Sequence, residues 1–180
     1  MKSVFLHLCC GNCACFPYEF LKEEGFDVTG FWYNPNVHPY GEYQHRLNAA
    51  GCMADRQGMN IIYDNRYDPG EFLGSMKEGF AFPRRCVSCY ILRLDAAAAR
   101  AREEGFSLFT TTLLYSIHQQ HELIKDIGEE SARKYGIEFY YSDFRKGWQK
   151  GIEISKKLEL YRQSYCGCIF SEKERYLKRR

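Results

Sequence analysis

Five short apolar runs alternate with amphipathic stretches along this chain, and that order restricts the fold more than any other feature. The runs are "SVFLHL", "DVTGFWYN", "NIIYD", "SLFTTTLL" and "IEFYYSDF". Each is brief and rich in β-branched or aromatic residues, as strands are. Between them lie "CFPYEFLKEEG", "EYQHRLNAAGCMADRQG", "DPGEFLGSMKEG", "CVSCYILRLDAAAARAREEG" and "HQQHELIKDIGEESARKYG", which read as helices closed by glycine. Pro17 falls in the first turn of the first of these. A last long helix is expected over "GWQKGIEISKKLELYRQSY". The order β-α-β-α-β-α-α-β-α-β-α implies a mainly parallel sheet flanked by helices, an α/β fold of Rossmann-like or PP-loop-like type. No repeat, low-complexity tract or linker interrupts it. Residues 1–180 are therefore expected to form one domain with a short basic C-terminal tail.

Ligands of such sheets bind outside the carboxyl ends of the strands. The residues after the first, fourth and fifth runs, "HLCCGNC", "YSIHQQ" and "SDFR", should open onto one rim. Eight of the nine cysteines are clustered: Cys9, Cys10, Cys13 and Cys15, then Cys86 and Cys89, then Cys166 and Cys168. The opening "MKSVFLHLCC" has too short an apolar run, and no small-residue cleavage site, for a secretory signal. No window approaches a membrane span. The expectation is a cytoplasmic protein with reduced thiols, where clustered cysteines mean metal or redox chemistry. Net charge is +2, and the tail "KERYLKRR" holds five basic residues against one acid. Such a tail suits a polyanion such as RNA, or is simply a solvated terminus.

The C-x-x-C pair Cys86/Cys89 opens a helix, which places both sulfurs on one face near an N-terminus that favours thiolate. Arg84 and Arg85 add positive charge beside it. Adjacent Cys9 and Cys10 argue against a zinc ribbon, since a regular strand would point them to opposite faces. Before Gly11 the chain can turn and bring both to one centre. A 4Fe–4S cluster, a zinc site and metal-free redox thiols all remain open on spacing. Cys166-Gly-Cys168 can form a strained, easily reduced disulfide or hold metal. Cys52 and Cys15 read as packing residues.

"HLCCGNC", "EYQHRL", "RRCVSCYILRL", "FTTTLLYSIHQ" and "SDFRKGWQKGIEISKKLELYRQSYCGCIFS" together resemble the cobalamin-independent epoxyqueuosine reductases, the QueH family, from residue 5 to about 171. The resemblance implies removal of the epoxide oxygen of epoxyqueuosine at the wobble position of tRNA, with an external electron donor. It implies Cys9, Cys10, Cys86 and Cys89 as 4Fe–4S ligands and Cys166 with Cys168 as a redox-active pair. It also implies a second metal, an iron or other ion, with Cys13 as its ligand. The family places alanine and proline between its second and third cysteines, where this chain has Gly11 and Asn12. It often has proline where Ile117 stands.

The chemistry needs proton donors, for which Tyr165, Tyr90 and Asp143 are available. Arg145 and Arg162 offer planar forks for phosphate or bases. His118 could contact RNA, and Tyr115, Trp148, Tyr161 and Tyr165 could stack a splayed base. Glu42 and Arg46, four apart on a helix, either pair with each other or orient substrate and metal loop; Arg93 carries the same two readings. A PP-loop sulfur-transfer enzyme is the rival activity, but "CCGNC" lacks the glycines of a phosphate cradle. A zinc-stabilised RNA-binding module without catalysis is the other rival.

Overall fold

In the computed structural model, which describes residues 2–77 and 79–177, five parallel strands form one sheet in the order β3-β2-β1-β4-β5. They are β1 (Lys2–Leu8), β2 (Phe26–Trp32), β3 (Asn60–Tyr63), β4 (Leu108–Thr111) and β5 (Glu138–Phe139). The helices are α1 (Gly11–Glu23), α2 (Tyr40–Gln57), α3 (Pro69–Ser75), α4 (Arg84–Glu103), α5 (His121–Tyr135), α6 (Trp148–Lys157) and α7 (Ile169–Leu177). Two 3₁₀ turns, Thr112–Tyr115 and Phe144–Gly147, follow β4 and precede α6. The expected α/β class holds. Of the basic tail, Lys178, Arg179 and Arg180 lie outside the described residues.

The chain winds outward from β1 to β3, then returns to the other side of β1 for β4 and β5. Because parallel crossovers share one hand, this reversal puts α1 and α2 on one face and α4 and α5 on the other. Accordingly α1 packs against α2 and α6, and α4 against α5. Val4, Phe5, Leu6 and Leu8 of β1 are fully buried between the two layers, joined by Phe109, Leu94, Ala97 and Ala98. His7, also fully buried, is bonded through Nδ1 to Thr111 Oγ1 (2.8 Å) and through Nε2 to the Tyr33 carbonyl (3.2 Å). Burial holds its pKa down to about 3, so it is a neutral core residue.

Four elements differ from the sequence reading, and one is the last run, "IEFYYSDF", of which only Glu138–Phe139 is strand. Helix α1 begins at Gly11, so Pro17 sits inside it rather than in its first turn. The early start has a cause in Cys10, whose sulfur caps the helix by accepting from the Cys13 amide (3.4 Å). The second half of "SLFTTTLL" leaves the sheet as a 3₁₀ turn, with Thr111 Oγ1 accepting from Leu113 N (3.2 Å). The last long helix stops at Lys157, with Glu159 at a φ of 49°, and residues 158–168 run as an irregular strap. A separate helix, α7, follows that strap.

Candidate active site

The switch in winding direction lies between β1 and β4, and a cavity of about 500 Å³ opens at their carboxyl ends. Cys9 and Cys10 leave β1 there, and the 3₁₀ turn leaves β4 beside them. The Cys9 amide donates to Thr112 Oγ1 (2.9 Å), whose hydroxyl reaches Cys9 Sγ (3.2 Å). Cys9 bends the chain out of β1, Cys10 caps α1 in an extended conformation, and Cys13 lies in the first turn of α1. Their sulfurs all lie within 4.8 Å of one another, with Cys9 and Cys10 at 3.8 Å. Sulfurs at two corners of a tetrahedral thiolate metal site with bonds of about 2.3 Å stand about 3.8 Å apart, so the triad has the right spacing to hold a metal. Among the described residues no other histidine, cysteine or carboxylate joins that triad at this distance.

The triad is electrostatically divided. Hydrogen bonds from Cys10 and Cys13 hold the Cys9 thiol well below its ordinary range, assisted by Arg93. Burial pushes Cys10 up, and hydrogen bonding to Cys10 and Cys9 pushes Cys13 up. Arg93 is 2% exposed and spends one amino group on Asn34 Oδ1 (2.6 Å), while its Nε has no partner. Asn34 is fixed in turn by the Leu8 carbonyl (2.8 Å). A buried guanidinium with a free donor beside thiols is the complement of an anionic group.

Cys86 and Cys89 occupy the first turns of α4. Burial raises Cys86 to about 11 and Cys89 to about 12, with Cys166 adding to both and Arg93 opposing the rise at Cys89. Cys89 packs with Cys168, Phe72 and Met76 in one buried cluster. Cys168 is buried and Cys166 is exposed, the latter accepting from Gln119 Nε2 (3.4 Å). Thus Cys13 keeps the company of Cys9 and Cys10, whereas Cys86 and Cys89 neighbour the C-G-C pair. Arg93 acts on members of both groups.

The strap after α6 closes the cavity. Arg46, 2% exposed on α2, donates Nη1 to the Cys166 carbonyl (2.8 Å) and Nη2 to the Tyr165 carbonyl (2.9 Å). Its Nε meets Glu42 Oε1 (2.7 Å), and the other Glu42 oxygen accepts from Tyr161. Gly167 has a φ of 131°, and a Cβ there would lie 2.9 Å from Arg46 Nη1. The glycine between the two cysteines is thus required by both backbone and space. Gln163 Nε2 points down at Cys10 Sγ (3.0 Å) and Cys13 Sγ (3.4 Å).

The remaining expected residues divide. His118, Arg162 and Tyr165 line the cavity with Tyr115 and Trp148, whose rings stack at 5.1 Å. Tyr165 spends its hydroxyl on the His38 carbonyl and Tyr90 on Gln119 Oε1 (2.6 Å). Glu42 and Arg46 pair and hold the strap. Asp143 and Arg145 are not among the cavity residues; they bond each other at 2.7 and 2.8 Å, and Arg145 holds the Asp143 carboxyl at about 2. Cys15 is buried against the Gly11 carbonyl, and half-buried Cys52 packs on the core, both away from the thiol groups. Gln163 and Thr112 were not singled out in the sequence; Asn12, noted there only as a departure from the family pattern, accepts from Cys10 Sγ at 2.8 Å. Their one signal was place: all three lie within or beside the cysteine and strap motifs.

The profile of one protein family, described as epoxyqueuosine reductase QueH, matches residues 4–174. A relative of that name from Dehalococcoides mccartyi is 37% identical, over 98% of this chain and 96% of its own. Another of the same name from Thermotoga maritima is 34% identical over 97% and 93%. Among solved structures, a predicted subunit of tRNA methyltransferase from Methanocaldococcus jannaschii superimposes with a TM-score of 0.56 at 12% identity, over 87% of this chain and 75% of that one. That likeness is one of fold. The matches with family and relatives run almost end to end and include every cysteine cluster described above, and on them the chain belongs to the epoxyqueuosine reductase QueH family of oxidoreductases.

Proposed function

We propose that this chain reduces the epoxide of epoxyqueuosine in tRNA to the alkene of queuosine. The carbon–oxygen bonds of the epoxide break, two electrons and two protons enter, and the oxygen leaves as water. The observation that carries this reading is the convergence of Cys9, Cys10 and Cys13 at the wall of a cavity that buried Arg93 faces and the C-G-C strap crosses. The cavity has room for a nucleobase with its substituent, and its wall of Tyr115 and Trp148 suits a flat ring.

The donor set fits an iron–sulfur group. Thiols predominate, and the unpartnered Arg93 Nε awaits negative charge. As the family resemblance implies, Cys9, Cys10, Cys86 and Cys89 would hold a 4Fe–4S cluster and Cys13 would help hold a second iron beside it. Among the described residues only Cys9, Cys10 and Cys13 lie within 4.8 Å of one another, and Arg93, acting on both Cys9 and Cys89, links the two pairs. Bound there, the cluster supplies electrons singly from an external donor. The protein's own residues do the rest. Arg93 offsets thiolate charge, and Gln163 donates N–H bonds to two sulfurs. Arg162 and His118 at the cavity wall orient the phosphate and ribose of the entering nucleotide. Arg46 holds the strap over the thiols and keeps bulk water from them. No described helix is long and apolar enough to cross a membrane.

The test uses anaerobically iron-loaded protein, a strong chemical reductant and tRNA bearing epoxyqueuosine, digested and read by mass spectrometry. Queuosine formed by the wild type, and not by Cys86→Ala, is the expected result. No queuosine from an iron-loaded wild type would sink the substrate assignment.

A further inference from the structure

Helix α7 follows the C-G-C strap and buries none of its residues. What it rests on is aromatic. Phe170, near its start, stacks on Phe80 with ring centroids 5.0 Å apart and planes 23° from parallel. Phe80 belongs to the loop "FAFP" before α4, and Phe80 and Phe82 are 53% and 61% exposed. Leaving two phenylalanines in water forfeits about 25 cal/mol for every Å² of apolar surface, so their exposure calls for an occupant.

These rings are held rather than loose. Arg85, itself 5% exposed, pairs with Glu174 of α7 (2.6 Å) and donates to the Phe80 carbonyl (3.3 Å). Its guanidinium lies 5.8 Å from the Phe82 ring centre and 5.9 Å from that of Phe170. The same loop leads directly into Cys86. Phe170 packs on the buried cluster of Cys89 and Cys168, and Glu174 and Arg175 line the cavity. The aromatic strip is therefore continuous with the mouth of the cavity.

We propose that Phe80 and Phe82, backed by Phe170, form a stacking platform for unpaired bases of an RNA loop at that mouth. The occupant is argued from charge and shape. Exposed Arg84 follows Phe82 by two residues, Arg175 lines the cavity, and both complement phosphate. A nucleotide drawn out of a loop into the cavity leaves its neighbours unstacked, and flat rings replace the lost stacking without reading sequence. The proposal rests on the tRNA reading above and deepens it.

The experiment measures the affinity of anaerobic, iron-loaded protein for tRNA bearing epoxyqueuosine, by fluorescence anisotropy at one fixed salt concentration. Variants are Phe80→Ala, Phe82→Ala, Phe82→Leu and Phe82→Trp, each checked for iron content and melting temperature. Loss of one stacked base should weaken binding about 5- to 150-fold in the alanine and leucine variants. Phe82→Trp should bind as tightly as the wild type or more so, because it keeps the π-face. Equal affinity across all four variants would overturn the platform. So would unchanged tRNA binding with slower electron uptake from a protein donor, which would make the patch a protein-docking surface. Failure of the wild type itself to bind this tRNA would overturn the substrate reading, and the platform with it.

Discussion

Arg46 offers the sharpest test of how the strap is held over the thiols. The side chain is 2% exposed, and its partner Glu42 is 8% exposed at 2.7 Å. Arg46→Met keeps most of the volume but strands the Glu42 carboxylate with the Tyr161 hydroxyl alone. Breaking one side of a buried pair costs about 3–5 kcal/mol. For a chain of this size that corresponds to a fall in Tm of roughly 6–20 °C. Two backbone carbonyls, of Tyr165 and Cys166, lose their donor at the same time, so the C-G-C segment should open. The assays are denaturant unfolding under anaerobic conditions and the rate of Cys168 alkylation, a thiol that is buried in the native protein. Glu42→Gln with Arg46→Met should be more stable than Arg46→Met alone, because no buried charge is then left unpaired. Arg46→Lys should fall between, keeping the charge while losing the fork that spans two carbonyls. A cost below about 1 kcal/mol with unchanged alkylation would refute the argument that this guanidinium anchors the strap.

Three further outcomes follow from other residues. Gly167→Ala, at a φ of 131° and with its Cβ pressed on Arg46, should cost about 1–3 kcal/mol in a denaturant titration; full stability would mean the loop reshapes freely. Gln163→Leu removes both N–H···S bonds, and chelator competition should show metal affinity reduced about tenfold or more with little change in melting. Asp143 is held at about 2 by Arg145, so its stabilising effect is present above the unfolded carboxylate pKa and fades only as pH drops from about 3.9 to about 2. Since the pair is half-exposed, solvent screening leaves little stability at stake. Asp143 stays ionised at any pH near neutral, and the pH–rate profile of Asp143→Asn should keep the wild-type shape; a displaced acid limb would restore it as a proton donor.

The sheet was legible because period and order alone carry it: each of the five apolar runs contributed a strand. The start of α1 was not, because a sulfur does the capping and no propensity scale expects that of Cys10. The end of α6 was hidden for the opposite reason. "LELYRQSY" has helical composition, yet tertiary partners take its backbone: Arg56 donates to the Leu158 carbonyl (2.5 Å) and Arg46 to those of Tyr165 and Cys166. Within the site, the rim after β1 and β4 was visible from topology. "SDFR" was not separable from it, since only side-chain geometry shows Arg145 folding back onto Asp143. Gln163 was unreadable as a sulfur partner because a lone glutamine in a polar segment carries no pattern of its own.

The strap has a consequence for how the protein is made. Cys9, Cys10 and Cys13 leave the ribosome early, but Gln163 and the carbonyls that Arg46 grips are encoded more than a hundred residues later. At about 5–20 residues per second, the thiols wait roughly ten to thirty seconds before their cover exists. Through that interval the nascent chain presents three uncovered cysteines to oxygen and to stray metal ions. Any metal loaded at the site would therefore enter in the last moments of synthesis or after release, and a chain cut short within α6 would leave these thiols without their cover.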